Sequence, residues 1–507
     1  DPAVQSNLPV WEWFVQSPPA ANTQQGTRCS LWIEGEFYDN VDVHVRGSSS
    51  LFYPRKSYKF DFNSAHRPPI DALGLEIDEA NINTHWADKA HMRQVLSYDM
   101  YAALGCPGSK SWPLRMQQNG DFFSVQTFVE EPDRFLLERL GRDPNGALYK
   151  LYSMMNTVGG AEKITRTWEG NADLIALRNA LSLGGPGMEA YLFDNLDVPE
   201  VLSYLVATWL IHDNDHVAKN YYLYRDSDGD GEWSFLPWDK DLTWGRNYSP
   251  SGGVLNDKLW SGHGDQSHIF FGDSAHPKID GPWNRLINRV YGNPRLRAMY
   301  LRRLRTVCDE VLEVPGGAPG SYYLESIIEQ WHTHMAADVV LDAARWGVPT
   351  WATPRSFLDA KDRMISNYVV KRRNHLYTKM TLAGGGELPD PEPIAGRLYF
   401  SASDVDPVSG NQAEEYLLLS NFSSFAMDLS GYQLQGGVQF TFPMGTVIEA
   451  GGKLFLSPDV ASFRARATGP SGGQSLFVIG PYESLLTSPG SVQLFDAKGI
   501  MRSKANY

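Results

Sequence analysis

The sequence predicts an α+β fold followed by a smaller all-β domain. Short strand-like runs open the chain, helical periodicity dominates its later part up to residue 383, and short β-type runs return after residue 396. The chain has 507 residues, of which 42% are hydrophobic and 21% charged. This is enough for two or three globular domains with filled cores, which argues against disorder and fibrous repeats.

The first 383 residues carry both periodicities. Alternating runs predict strands at residues 28–33, 41–45 and 57–62. Helical patterns follow at residues 90–103, 132–140, 172–182, 199–212 and through much of 284–377. Residues 249–264, with four glycines and few apolar residues, predict a mobile loop.

The composition changes near residue 384. Three consecutive glycines from Gly384, followed by Pro389, Pro391 and Pro393, predict a linker over residues 384–395. Beyond it, β-type runs separated by Gly and Pro turn signals occur at residues 415–419, 438–442, 453–456, 475–479 and 492–495. These runs predict a small β-sandwich over residues 396–507, behind a first domain of residues 1–383.

Charge and composition exclude several functions. Asp and Glu number 59 against 45 Lys and Arg, a formal net charge of -14, and the chain has no long cationic run. We therefore expect no nucleic-acid partner. The longest apolar stretch, residues 201–211, is too short for a transmembrane helix. The scattered Cys29, Cys106 and Cys308 exclude a disulfide-rich scaffold and a closely spaced thiolate metal site.

The most informative segment predicts a β-hairpin. Residues 221–225 and 232–236 are rich in aromatic side chains, and a strong Asp/Gly turn lies between them. A turn centred near Asp228 brings the two ends of the hairpin together.

This folding-back places Asp215 and Asn220 near Asp239 and Asp241. Carboxylates at close range repel one another, so such a cluster persists only with a cation or strong donors between its members. Hard oxygen ligands of this kind suit Mg²⁺ or Mn²⁺. The sequence therefore predicts a divalent metal site in the cluster of Asp215, Asn220, Asp239 and Asp241.

The same residues reproduce a spacing known from protein kinases. Asp215-x-x-x-x-Asn220, a hairpin and then Asp239 follow the order of the catalytic Asp and the two metal-binding residues. Phosphoryl transfer needs a carboxylate for the attacking hydroxyl and divalent ions for the phosphate oxygens. Asp215 suits the first role and Asp239 the second, although this spacing alone recurs by chance in many chains.

A kinase also needs cations for the phosphates, and basic residues in an N-terminal strand are a natural source. Lys56 and Lys59 supply them. The preceding small-residue turn, which includes Arg46 and Ser49, can approach phosphate with its amides and hydroxyls. Taken alone, these residues favour the alternative, an ordinary hairpin with solvated lysines.

The hairpin tip offers a second, weaker metal signal. Asp226, Asp228 and Asp230, followed by Gly231, begin like a calcium loop, but the twelfth position is Pro237 rather than a bidentate carboxylate. A polar hairpin tip is the favoured interpretation, and Ca²⁺ binding is the alternative.

Several separated blocks of the sequence resemble the CotH (spore coat protein H) kinase family. The blocks occur in the family's order at residues 45–50, 54–59, 92–93, 103–105, 128–133, 135–136, 146–150 and 215–245. The resemblance implies a bilobal kinase-like fold, with an N-lobe over roughly residues 1–150 and a helical C-lobe over roughly 151–383. It also implies ATP with Mg²⁺ or Mn²⁺, transfer of phosphate to a hydroxyl on a protein substrate, and a secreted or cell-surface location in bacteria.

Carried over residue by residue, Asp215 matches the catalytic Asp, Asn220 and Asp239 match the metal positions, and Asp241 is a further candidate ligand. The residues that the resemblance implies for ATP binding are Arg46, Ser49, Lys56, Lys59, Glu130 and Lys150. In this assignment Glu130 pairs with one of the two N-terminal lysines.

The chain departs from the family pattern at Ser48 and Lys219, where the family often has Asn. A catalytically inactive pseudokinase that acts as a surface scaffold is therefore the alternative function, and a glycosidase is a more distant one. From about Gly396 the chain resembles a lamin-tail domain, an immunoglobulin-like β-sandwich, carried by residues 414–421, 429–432 and 448–453. By analogy, this domain binds a surface or polymer partner.

Overall fold

The structure is a computed structural model that describes residues 4–157, 159–213, 215–245, 268–278, 281–318, 321–349, 355–394 and 396–507. The predicted α+β class is confirmed, because strands dominate the two ends of the chain and helices its middle. The mobile loop expected at residues 249–264 lies outside the described residues.

The elements follow one another in chain order. The strands are β1 (Val10–Phe14), β2 (Thr27–Ile33), β3 (Glu36–Arg46), β4 (Ser57–Asp61), β5 (Pro69–Ile70), β6 (Leu75–Glu76), β7 (Glu79–Thr84), β8 (Ser111–Gln118), β9 (Asp121–Val129), β10 (Ala147–Leu151), β11 (Ala161–Lys163), β12 (Tyr221–Arg225), β13 (Trp233–Pro237), β14 (Leu398–Asp404), β15 (Tyr416–Asn421), β16 (Met427–Asp428), β17 (Gln433–Gly436), β18 (Phe440–Thr441), β19 (Val447–Ile448), β20 (Lys453–Leu456), β21 (Phe477–Ile479), β22 (Ser491–Phe495) and β23 (Met501–Asn506). The α-helices are α1 (Pro18–Ala21), α2 (Arg93–Ala103), α3 (Arg134–Arg139), α4 (Ala172–Ser182), α5 (Pro186–Asn195), α6 (Val198–Leu210), α7 (Arg285–Gly292), α8 (Pro294–Val307), α9 (Tyr323–Trp346), α10 (Phe357–Met364), α11 (Val370–His375) and α12 (Val460–Arg464). Short 3₁₀ turns and π-helical segments lie at Ser49–Phe52, Cys308–Leu312, Ile365–Val369, Leu376–Met380, Leu382–Gly384 and Gln412–Glu414.

The N-terminal strands close into a barrel in the order β1-β2-β3-β4-β7-β9-β8. β1 completes it by pairing antiparallel with β2 and parallel with β8. Strand alternation directs large apolar side chains inward, among them Trp11, Trp13, Tyr58 and Phe60, all buried. The opposite faces of β3 and β4 carry polar residues, including Lys59.

The predicted hairpin is confirmed. β12 and β13 pair antiparallel with Tyr221 opposite Pro237, and they belong to a four-stranded sheet in the order β11-β10-β12-β13. Behind this sheet lies α6, whose residues are all buried. Asp197 caps its first turn by accepting a hydrogen bond from the backbone N–H of Glu200 at 3.0 Å.

Helix α9 joins the helical part of the protein to the barrel. Asp338 and Asp342, one turn apart on this helix, form buried ion pairs with Arg115 and Arg55 of the barrel region. Asp342 also accepts a hydrogen bond from the backbone N–H of Val125 in β9, at 2.9 Å. The long helix thereby fixes the position of the barrel relative to the helices.

The C-terminal strands form two four-stranded sheets, β14-β15-β20-β21 and β18-β17-β22-β23, and a two-stranded pair, β16-β19. Most of their buried apolar side chains belong to the same hydrophobic cluster as those of α6 and α8. Arg303 of α8 forms a buried ion pair with Asp428. Close packing continues at Gly445, with φ of +90°, where an added Cβ would lie 2.2 Å from the carbonyl oxygen of Pro199.

The stretch predicted as a linker lies against helix α8. Leu388 is fully buried, while Arg302 and Arg305 donate hydrogen bonds to the carbonyl oxygens of Asp390 and Pro389 at 2.9 and 3.0 Å. The predicted position of the domain boundary remains a prediction. Within the described ranges, no helix combines the length and the apolar character that crossing a membrane requires.

Candidate active site

The loop between α6 and β12 is the centre of the site. Asn284, fully buried at the start of α7, holds it by donating hydrogen bonds to the Val217 carbonyl at 2.9 Å and the Tyr221 hydroxyl at 3.0 Å. Val217 and Asn220 adopt φ angles of +85° and +64°. Positive φ is costly for a β-branched residue, and such strain clusters at functional sites.

A buried ion pair fixes the two ends of the hairpin to this loop. Lys240 and Asp213 are both fully buried, and their Nζ and Oδ2 atoms lie 2.6 Å apart. The same ammonium donates to the carbonyl oxygen of Asn220 at 2.9 Å. One side chain thus connects the loop, the strand that enters the hairpin and the segment that leaves it. Neither residue of the pair was predicted, because the acidic run around Asp213 gives no sign of a partner 27 positions away.

The predicted catalytic residue, Asp215, lies against Asn220 as expected. Its Oδ2 accepts a hydrogen bond from Asn220 Nδ2 at 2.9 Å. The same oxygen forms an ion pair with Lys219 Nζ, also at 2.9 Å. Its Oδ1 lies 3.2 Å from Nζ of Lys278, a residue that the sequence did not suggest. Lys278 follows 63 residues later, and no motif or periodicity connects it to the loop between α6 and β12.

Asp239 and Asp241 complete the predicted acidic cluster. Burial, and after it the charge of Asp215, raises the pKa of Asp239 above its usual value. Burial, followed by the charges of Asp239, Asp215 and Asp88, raises the pKa of Asp241 well above its usual value. Asp88, which the sequence analysis missed, caps the entry to α2 by accepting hydrogen bonds from the backbone N–H groups of Ala90 and Arg93.

The acidic cluster has the charge that a divalent cation requires. Among the described residues, none donates a hydrogen bond or forms an ion pair to the carboxylate of Asp239 or Asp241. Burial is the largest cause of their raised pKa values, and the charges of neighbouring carboxylates add to it. Still, no group of three His, Cys, Asp or Glu side chains in the described part of the chain has the arrangement of a metal site.

Two of the predicted ATP-binding residues, Arg46 and Lys150, converge on Trp238, beside Asp239. The Arg46 guanidinium carbon lies 5.5 Å from the centroid of the Trp238 ring, and Lys150 Nζ lies 5.3 Å from it. Burial lowers the pKa of Lys150. Arg46 is held in place by Asn83, whose Oδ1 accepts its hydrogen bond at 2.7 Å.

Lys56 and Lys59 have different environments. Lys56 Nζ donates to the carbonyl oxygen of Leu51 and so anchors the turn that contains Ser49, which is exposed. Lys59 lies on the polar face of β4, opposite His44 of β3, and forms an ion pair with Glu79. Arg46 is two residues from His44 in β3, so the two side chains lie on the same face of the barrel. Lys59, which pairs with His44, therefore lies on the same face as Arg46, and Lys56 does not.

Of two consecutive acidic residues, Glu130 binds Arg139, while Glu131 acts on Lys59 only through its charge; the ion pair of Lys59 is with Glu79. Glu130 is bound by Arg139, at 2.7 Å to Nε, and by the backbone N–H of Lys110 at 2.9 Å. Burial lowers the pKa of Lys59, but nearby carboxylates outweigh this effect and raise the pKa above its usual value. Among those carboxylates, Glu131 contributes the largest electrostatic effect. The expected Glu130–lysine pair is not found among the described residues, because Glu130 is paired with Arg139.

The calcium hypothesis receives no support from the geometry. Both carboxylate oxygens of Asp228 accept hydrogen bonds from Arg166, at 2.7 and 3.0 Å. Asp230 accepts a hydrogen bond from the backbone N–H of Glu232 at 2.8 Å, as expected for a turn. These contacts match the polar hairpin tip that the sequence favoured.

A buried polar atom is unsatisfied beside the basic residues. The hydroxyl of Tyr222 is buried and has no hydrogen-bond partner among the described residues. Burial raises the pKa of this hydroxyl well above its usual value. Of the nearby charges, Glu131, which raises the pKa, and Arg46, which lowers it, have the largest effects. A ligand that carries polar groups, such as a nucleotide, would supply the missing partner, so the residues present fit ATP.

Comparisons with known proteins agree with the resemblance. The profile of a protein family described as "CotH kinase protein" matches residues 43–376, more than half of the chain. The chain is 22% identical to the inner spore coat protein H of Bacillus subtilis (strain 168) over 404 residues, which cover 75% of this chain and 99% of that protein. Among solved structures, the proinflammatory kinase CtkA of Helicobacter pylori aligns over 68% of this chain and 92% of its own, at 11% identity and a TM-score of 0.21. A TM-score this low does not establish a shared fold.

Proposed function

Because the chain belongs to the CotH kinase family, we propose that it transfers the γ-phosphoryl group of ATP to a hydroxyl group of a protein. The observation that carries this proposal is the convergence of Asp215, Asn220 and Asp239, produced by the β12–β13 hairpin and fixed by Lys240. The barrel then serves as the N-lobe and the helices as the C-lobe, with ATP between them.

Each residue has a role that follows from its position. Asp215 orients the acceptor hydroxyl and takes its proton while the acceptor oxygen bonds to the γ-phosphorus. The bond between the γ-phosphorus and the β–γ bridging oxygen breaks, and ADP leaves. Asn220, Asp239 and Asp241 hold Mg²⁺ or Mn²⁺, which neutralises phosphate oxygens when bound.

The basic residues of the barrel hold the phosphates. Arg46, Lys59 and Lys150 supply positive charge on the side that faces Asp239, and Glu131 orients the two lysines. This replaces Glu130 in the assignment made by resemblance. Replacing Glu131 with Gln should raise the KM for ATP, while Glu130→Gln, the matched control, should mainly lower stability because it disturbs the buried pair with Arg139. Equal KM values in the two variants would refute the role of Glu131.

We further propose that the C-terminal sheets form a lamin-tail-like sandwich that binds a surface or polymer partner, and that the protein acts outside the cell or at its surface. The relative from Bacillus subtilis is named as an inner spore coat protein, which supports a location of this kind.

One observation favours the alternative of an inactive scaffold. Lys219 and Lys278 both contact the carboxylate of Asp215, so two cations occupy the place where an acceptor hydroxyl would have to bind. In a pseudokinase, both lysines would stay bound to Asp215 permanently, and no acceptor hydroxyl would replace them.

The two functions are separated by incubating the protein with γ-labelled ATP, Mn²⁺ or Mg²⁺, and candidate acceptor proteins, and by measuring nucleotide binding in parallel. The kinase proposal expects Asp215→Ala to abolish transfer with nucleotide binding retained, and Asp239→Ala to weaken binding of the metal–nucleotide complex. Asp228→Asn, at the exposed hairpin tip, is the matched carboxylate control and should transfer normally. Transfer that persists in both site variants would sink the assignment, and a wild-type protein that neither transfers phosphate nor binds nucleotide would establish the scaffold.

A further inference from the structure

Two lysines contact Asp215, and they differ in origin and exposure. Lys219 lies four residues further along the same loop, and its side chain is 47% exposed. Lys278 comes from a distant segment, and its side chain is only 6% exposed. A lysine buried to this extent is rare, and its burial costs free energy unless a partner of opposite charge compensates it.

The segment that delivers Lys278 is packed firmly against the catalytic loop. The backbone N–H of Lys278 donates to the Pro282 carbonyl at 2.9 Å, and that of Asn284 donates to the Gly272 carbonyl at 2.9 Å. Gly272 has φ of +100°, and a Cβ there would lie 3.3 Å from Cγ2 of Val217. Asn284, which holds the loop between α6 and β12, thus also contacts the segment that carries Lys278.

Lys278 is not needed to orient Asp215. Asn220 and Lys219 already hold Oδ2 of that carboxylate, each at 2.9 Å. In the proposed reaction, the attacking hydroxyl lies beside Asp215 and the phosphoryl group lies beyond it. An ammonium 3.2 Å from Oδ1 is thus next to the place where negative charge develops on the phosphoryl oxygens.

We propose that Lys278 is the cation that stabilises the transferring phosphoryl group, supplied within the chain from residues 268–278. Its ammonium has three N–H donors, so in the proposed reaction it would bridge Asp215 and a phosphoryl oxygen. The contact seen with Asp215 is then the resting position of this group. The inference rests on the proposed kinase function and assigns a catalytic residue that lies outside the D-x-x-x-x-N motif.

The kinetic test replaces Lys278 with Met and, as the matched control, Lys219 with Met. Loss of a group that stabilises transition-state charge lowers kcat by about 10²–10³-fold, so we expect that loss in Lys278→Met, with the KM for ATP within about threefold of the wild type. Lys219→Met should lose less than about tenfold, because its charge is already screened by solvent. Lys278→Arg should retain more activity than Lys278→Met. Comparable kcat values in Lys278→Met and Lys219→Met would overturn the proposal.

A binding measurement separates this role from a structural one. ADP with aluminium fluoride mimics the transferring phosphoryl group, and transition-state analogues depend on the interactions that catalysis uses. We expect Lys278→Met to bind this complex about 10²-fold more weakly than the wild type, with the affinity for ADP alone unchanged. If both affinities fall equally, Lys278 is structural and the proposal fails.

Two further controls keep the outcomes distinct. Lys278→Gln keeps a donor for Asp215 without the charge, and it should show the same loss of analogue binding even if Lys278→Met folds poorly. A wild-type protein without any transfer would refute the proposed function itself. An active wild type whose Lys278 variants are unimpaired would refute only the role of Lys278.

Discussion

Replacement of Lys240 with Met removes the ammonium that binds Asp213 Oδ2 and the Asn220 carbonyl oxygen. The side chains of Lys240 and Asp213 are fully buried, so the remaining carboxylate would stay in the interior without its partner. Removing one member of a buried ion pair destabilises a protein by about 3–5 kcal/mol, mainly because the other charge is left uncompensated.

The expected change in melting temperature follows from the size of the chain. With an unfolding entropy of about 2.1 cal/mol/K per residue, 507 residues give about 1.1 kcal/mol/K if the chain unfolds as one unit. Lys240→Met should therefore lower the melting temperature by about 3–5 °C. Phosphoryl transfer should fall as well, because the loop, Asn220 and the segment after β13 lose their common anchor.

Differential scanning calorimetry of four proteins tests this reasoning: wild type, Lys240→Met, Asp213→Leu and the double variant. The double variant should recover much of the lost stability, since it leaves no buried charge unpaired. Lys219→Met, which removes an exposed lysine from the same loop, should shift the melting temperature by less than about 1 °C. Strictly additive effects of the two single substitutions would refute the buried-pair argument.

Two further predictions concern pH and packing. Asp133 caps helix α3, and burial raises its pKa to about 7. Between about pH 4 and pH 7 the folded state therefore binds more protons than the unfolded state. The free energy of unfolding falls as the pH rises across that range. Asp133→Asn should therefore be more stable than the wild type at pH 8, by up to about 4 kcal/mol, and close to it at pH 4; parallel pH profiles of the two melting temperatures would contradict this. Gly445→Ala should destabilise the contact between the C-terminal sheets and α6 by about 1–3 kcal/mol, because its Cβ would lie 2.2 Å from the Pro199 carbonyl oxygen. The control, Gly451→Ala, has φ of +69° and open space around its Cβ, so equal urea midpoints for the two variants would rule out the packing argument.

Features that depend on local chemistry could be predicted from the sequence. The hairpin of β12 and β13 follows from an Asp/Gly turn between aromatic runs, and it brings Asn220 back towards Asp239 without long-range information. The strands β2, β3 and β4 follow from alternation alone.

Features that depend on distant contacts could not be predicted. The barrel closes through parallel pairing of β1 with β8, more than a hundred positions apart. The roles of Glu130 and Glu131 depend on which of two consecutive residues beyond the end of β9 meets Arg139 of α3, a tertiary contact. Lys278 reaches Asp215 only because residues 268–278 pack on the catalytic loop, and nothing local marks it.

The docking of the C-terminal strands on α8 has a consequence for synthesis of the chain. Helix α8 ends at Val307, but β16, which packs against it, begins at Met427. At about 5–20 residues per second, the ribosome needs roughly 6–24 s to add the 120 residues from Cys308 to Met427. During that interval the nascent chain exposes an apolar helix face, which makes it a natural client for chaperones until the last quarter of the protein emerges.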